Sequence, residues 1–156
     1  MKSWLALLAL LTTTPSLTLA ADDIAVHDAW VRAAPPGATV LAAYLIIDNH
    51  SASAQTLSGA SSPQFDSVEI HRTEVKNGVA SMSAQPHVAI PAHGTLKFAP
   101  NGYHLMLIGP RKALHPGDHV ELRMQFDGRP AQLIHAPVRA AADEPADDTM
   151  QHHHHD

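Results

Sequence analysis

Two histidines and two methionines, His71, Met82, His104 and Met106, are the residues whose types and spacing could do chemistry together. Asn77-Gly78, between two β-type segments, is the strongest short hairpin signal a sequence offers. A two-residue turn there pairs Lys76 with Val79, so that Thr73 opposes Met82 and Ala84 opposes His71. His71 and Met82 are then diagonal neighbours on one face, with backbones roughly 7–8 Å apart. Ala84 is small and leaves room beside the imidazole. His104 and Met106 stand two apart on another strand and share a face at about 6.6 Å. If the second pair approaches the first, two imidazoles and two thioethers can share one ion.

The chemistry of that set is selective. Thioether sulfur is soft and uncharged, a poor ligand for zinc, calcium or magnesium and a good one for copper(I). Four uncharged N2S2 ligands suit a monovalent d10 ion with no strong geometric demand. The sequence contains no cysteine. A blue-copper electron-transfer centre, which needs a thiolate, is therefore excluded. The tightest copper(I) ligand is missing too, which implies a site able to release its metal. Taken singly, a Met on a strand reads as core packing, and Met124 is read that way. Single histidines read as surface or hydrogen-bonded residues, and His50, His87, His93, His115, His119 and His135 are placed there. His27, close to Trp30, is open to either reading.

The elements that must position these side chains are strands. Residues 24 to 138 carry short β-type segments separated by turn signals, with no helical period. Ile24 to Val31, Val40 to Asp48, Phe65 to Val75 and Val79 to Ser83 read as strands. Thr95 to Phe98, Tyr103 to Ile108, His119 to Phe126 and Ala131 to Val138 follow. Pro35-Pro36-Gly37, Asn101-Gly102, Pro116-Gly117 and Asp127-Gly128 break between them. Strands at this density indicate an all-β fold, a Greek-key sandwich or barrel.

The spacing His71-x10-Met82-x21-His104-x-Met106 resembles that of the periplasmic copper chaperones known as PCuAC. The surroundings agree. Ala29-Trp30-Val31-Arg32 followed by Pro35-Pro36-Gly37 resembles the family's opening, and Ala43-Tyr44-Leu45 with Asn49 its second strand. Val68-Glu69-Ile70-His71 and Asn101-Gly102-Tyr103-His104-Leu105-Met106-Leu107 resemble its two ligand segments. Asn101 stands where many relatives have a second glycine, a replacement that keeps the turn. The resemblance implies a cupredoxin-like β-fold, copper(I) held near the surface, and delivery of copper to other periplasmic proteins. Its implied client is the CuA centre of cytochrome c oxidase subunit II, sometimes alongside a Sco-type protein, with the chaperone a monomer.

The chain ends differ in character from its middle. Lys2, the apolar run Trp4 to Leu11 and the small residues up to Ala20 describe a secretory signal peptide over residues 1–20, cleaved after Ala20 or Ala21. The run is far short of the ~20 apolar residues a spanning helix needs, so the mature form is not expected to span a membrane. Residues 21–138 then form the copper-binding domain and 139–156 an acidic, His-rich flexible tail. Met150, His152, His153, His154 and His155 could bind copper(II) through imidazoles as a second site. Four terminal histidines look like a purification tag. The run is short, however, ends in Asp156 and follows a signal peptide, and so reads as a native metal-binding tail.

Charge and composition narrow the function. Loss of residues 1–20 leaves nine Lys plus Arg against fifteen Asp plus Glu, a net charge of −6. That balance argues against nucleic acid and anionic membrane as partners. Histidine-brace monooxygenases need His as the first mature residue, whereas cleavage here gives Ala21; no catalytic triad stands out. The expected protein is a metallochaperone and not an enzyme, with copper buffering without a dedicated client as the alternative.

Overall fold

Alternation governs the architecture. In His119–Phe126 the residues Val120, Leu122, Met124 and Phe126 are buried, while His119, Arg123 and Gln125 are exposed. Such a period of two makes a strand with one apolar face. The computed structural model describes residues 23–140, in which ten such segments form. They are β1 (Ile24–Arg32), β2 (Val40–Asn49), β3 (Gln55–Ser61), β4 (Phe65–Lys76) and β5 (Val79–Ala84). After them come β6 (Val88–Ile90), β7 (Thr95–Phe98), β8 (Tyr103–Pro110), β9 (His119–Phe126) and β10 (Gln132–Arg139). No helix occurs among the described residues. The expected signal peptide and the expected second site at Met150 and His152–His155 lie outside the described residues.

The strands hydrogen-bond in the order β5-β4-β8-β7-β2-β1-β10-β9-β3-β6. Almost all pairs are antiparallel. The seam is an exception: β1 meets β10 in parallel, with Val31 beside Val138 and Arg32 beside Arg139. The six strands on the β1 side and the four on the β10 side contribute to one core. Leu41, Leu45, Ile47, Ile70, Leu105 and Leu107 belong to the same buried cluster as Leu57, Val120, Leu122, Met124 and Phe126. Each such side chain, fully buried, contributes about 1.5–3 kcal/mol. With no cysteine in the sequence, this core is what holds the domain together. The all-β, cupredoxin-like architecture expected from the sequence is the one observed, and Met124 is buried in the core as expected.

Two strands were not expected. β3 carries a single large apolar residue, Leu57, among Gln, Thr, Ser, Gly and Ala, so its alternation is nearly silent. β6 has three residues between Pro86 and Pro91, too few to show a period. The domain end also shifts. Arg139, assigned to the tail from composition, completes β10: its carbonyl accepts the Ala33 N–H at 2.8 Å. Its guanidinium lies over the Trp30 ring, 5.9 Å from the centroid.

One buried polar side chain ties the two halves together. Asn49, at the end of β2, is 1 % exposed. Its amide nitrogen donates to the carbonyls of Ser53 (2.9 Å), Ile90 (3.2 Å) and Pro91 (2.9 Å). Its amide oxygen accepts from the Ser51 N–H at 3.0 Å and the Ser51 hydroxyl at 2.7 Å. Every polar atom is answered, as burial requires.

Candidate metal centre

The hairpin that carries His71 and Met82 has the register its turn dictates. Asn77 and Gly78 both have positive φ, 53° and 77°, the type I′ geometry whose twist matches the flanking strands. Lys76 pairs with Val79, Thr73 with Met82 and His71 with Ala84. The approach of the second pair, open in the sequence, is supplied by β8. This strand lies against β4 on the side away from β5, and His71 sits directly opposite His104. The two imidazole centroids are 6.0 Å apart, with the rings tilted by 42°.

Alternation decides which side chains share that face. Ile70 and Leu105, paired with each other, point into the core. The opposite face therefore carries Glu69, His71 and Thr73 from β4, His104 and Met106 from β8, and Met82 and Ala84 from β5. Met106 opposes Glu69 on one side and Ala42 of β2 on the other. Small residues thus flank the site on both sides, Ala84 beside His71 and Ala42 beside Met106. The two methionines lie on opposite diagonals of the histidine pair, Met106 toward Glu69 and Met82 toward Thr73. Exposure is graded across them: His104 is 7 % exposed, Met106 half-buried and Met82 56 % exposed.

The nitrogens of the two histidines are in unequal positions. Nδ1 of His104 lies 3.1 Å from the Gly102 carbonyl, an acceptor, so that nitrogen carries the proton and Nε2 carries the lone pair. In His71 the arrangement is reversed. Nε2 lies 2.8 Å from the Glu69 carboxylate, while Nδ1 is buried without a hydrogen-bond partner among the described residues. A buried, unanswered nitrogen costs about 1–3 kcal/mol. Such an atom calls for an explanation, and its lone pair is one that a metal ion could use. Among the described residues no group of three or more His, Cys, Asp or Glu is arranged to hold a metal. The further soft donors that this face offers beside the two imidazoles are the thioethers of Met82 and Met106.

The remaining histidines stand elsewhere. His50, His87, His93, His115, His119 and His135 are exposed. His27, open in the sequence, sits on β1 before a bulge at which Asp28 adopts φ 52°. Its Nε2 meets Asp48 at 2.9 Å and its Nδ1 meets Asp28 at 3.1 Å. Those two carboxylates, Asp48 first, raise its pKa. Asp48 is lowered in turn, chiefly by the Thr95 hydroxyl and then by His27. This is an ion pair with both ring nitrogens in use. Sequence reasoning missed Glu69 and the Gly102 carbonyl, which orient the two imidazoles. Glu69 was detectable, because alternation puts it on the face of His71.

Fold and geometry together define a class: a cupredoxin-like β-domain with an imidazole–thioether cluster open on one outer face. Residues 24–138 match the LpqE-like family, and the chain belongs to it. A relative from Leifsonia xyli subsp. xyli (strain CTCB07), named "Putative lipoprotein Lxx21020", is 34% identical over 120 residues, covering 76% of this chain and 71% of its own. Among solved structures, the copper-bound PCuAC domain from PmoF2 superimposes with a TM-score of 0.65 at 24% identity. That match covers 76% of this chain and 93% of the other and shows the shared fold. The copper(I) form of DR1885 from Deinococcus radiodurans has a TM-score of 0.59 at 32% identity, covering 71% and 74% of the two chains.

Proposed function

We propose that this protein carries copper(I) on His71, Met82, His104 and Met106 and hands it to an acceptor protein by ligand exchange. The observation that carries this reading is the opposed His71–His104 pair, with the buried Nδ1 of His71 unanswered. The thioethers on either diagonal add soft donors, which favour copper(I) over zinc or magnesium. The structures titled copper-bound PCuAC domain and CuI-DR1885 support the same cargo. Exposure of Met82 suits a carrier: an incoming ligand can displace an exposed thioether while the half-buried donors still hold the ion. The role is binding and transfer, without covalent catalysis.

The acceptor in this reading is the CuA site of cytochrome c oxidase subunit II, reached in the periplasm, directly or with a Sco-type protein. The N-terminal signal-like segment and the lipoprotein name of the relative support export. The tail residues Met150 and His152–His155 would hold copper(II) as a second site, and would feed the core site once an external one-electron reductant, such as ascorbate or a thiol, converts it to copper(I). Removing residues 147–156 should then slow loading without changing core stoichiometry.

The deciding experiment is a titration of the mature protein with copper(I) against a chromophoric chelator, followed by mixing with an apo-CuA domain. One equivalent bound in the core and moved to the acceptor is the expected result. No binding would end the site assignment. Binding without transfer would make the protein a copper buffer.

A further inference from the structure

Uncharged ligands around a monovalent ion leave a net charge of +1 in a half-buried site, where screening by water is reduced. On β4, β5 and β8, alternation puts one carboxylate on the face of the histidine pair. It is Glu69; Glu74 points to the other face, where it pairs with Arg72 and Lys76 at 3.2 and 3.0 Å. Glu69 directly opposes Met106, and its Oε2 is 2.8 Å from Nε2 of His71. An ionised carboxylate only accepts hydrogen bonds, so Nε2 of His71 must be the protonated nitrogen. The lone pair is thereby confined to Nδ1, the atom that is buried and without a partner among the described residues.

We propose that Glu69 is the positioning residue of the metal site: it selects Nδ1 of His71 as the donor atom and balances the charge of a monovalent ion. This rests on the copper(I) reading above and adds a ground for selectivity. With Glu69 counted, the site holding a +1 ion is neutral, and holding a +2 ion it is not. Copper(I) and silver(I) are therefore favoured over divalent ions by charge as well as by softness. His104 needs no second carboxylate, because the Gly102 carbonyl already fixes its tautomer. Partners of this kind, one step out from a metal ligand, are worth about 10–100-fold in metal affinity.

The test combines metal-free NMR with competition binding. Long-range 15N–1H correlation on the metal-free wild type should show the Nε2–H tautomer for His71. Glu69→Ala should give mixed tautomers and bind copper(I) and silver(I) about 10–100-fold more weakly, with its circular dichroism unchanged. Glu69→Gln keeps an acceptor oxygen without the charge. It should retain the tautomer and show a smaller loss of affinity, and it carries the test should the alanine variant fail to fold. An Nδ1–H tautomer in the wild type overturns the proposal, as does wild-type affinity in Glu69→Ala. Wild-type affinity in Glu69→Gln overturns the charge-balancing part. A wild type that binds neither ion overturns the copper reading itself, a result distinct from one that binds both whether or not Glu69 is present.

Discussion

Asn49 and His104 are buried polar residues on the same framework, yet their surroundings are built on opposite plans. Around Asn49 every donor and acceptor is answered by the protein's own backbone and by Ser51, and the cluster closes on itself. Around His104 one nitrogen of each imidazole is answered, and Nδ1 of its neighbour His71 has no hydrogen-bond partner among the described residues. Burial alone does not mark a functional residue. The difference teaches that an unanswered nitrogen able to carry a lone pair, beside other metal-capable side chains, is the mark to look for.

Substitutions can break this contrast or sharpen it. The largest effect is expected from the His71→Ala plus His104→Ala pair. It should weaken copper(I) by more than about 1,000-fold, or ~4 kcal/mol, in chelator competition, while the fold stays cooperative in urea. Asn49→Ala should do the reverse. It strands buried carbonyls and should cost about 2–4 kcal/mol of stability by chemical denaturation, with copper stoichiometry unchanged. If Asn49→Ala lowered copper affinity as much as the histidine pair does, the two regions would not be separate. Met82→Leu comes next, at about tenfold in affinity, or ~1.4 kcal/mol. Its stability should stay within about 0.5 kcal/mol, because the side chain is exposed.

The smallest effect concerns His27, whose nitrogens, unlike those of the site, are both in use. Its pKa is raised, so its contribution is fully present below the ordinary histidine value and is lost as pH rises through the raised one. Asp48 is lowered, so its contribution holds above the ordinary carboxylate value and is lost as pH falls through the lowered one. The difference in stability between wild type and His27→Ala should therefore peak in mildly acidic solution. It should vanish at alkaline pH, as followed by denaturation across a pH series. Solvent and salt screen this exposed pair, which keeps the effect small.

How much of this was legible in the sequence depended on how local the cause was. Asn77-Gly78 dictates a turn type, the turn dictates register, and the pairing of Thr73 with Met82 followed from residues in one hairpin. Alternation likewise placed Met106 with His104. The adjacency of β4 and β8, which brings His71 opposite His104, depends on which strands pair across the whole sheet. No local pattern encodes it; only the resemblance to a family pointed that way. β3 and β6 escaped notice because small residues and flanking prolines erase the period. The orienting role of Glu69 was missed because attention went to metal-binding side chains and not to those that hold them.

The parallel seam between β1 and β10 has a consequence in time. The first strand of the domain lies beside the last, so the sheet cannot close until nearly the entire chain is available. Contacts between residues so far apart in sequence also form slowly, because their loop-closure entropy comes before their reward. A nascent chain of this design stays open while it is being made. The order of synthesis therefore sets the order of closure: the domain's sheet joins only once β10 is present to meet β1.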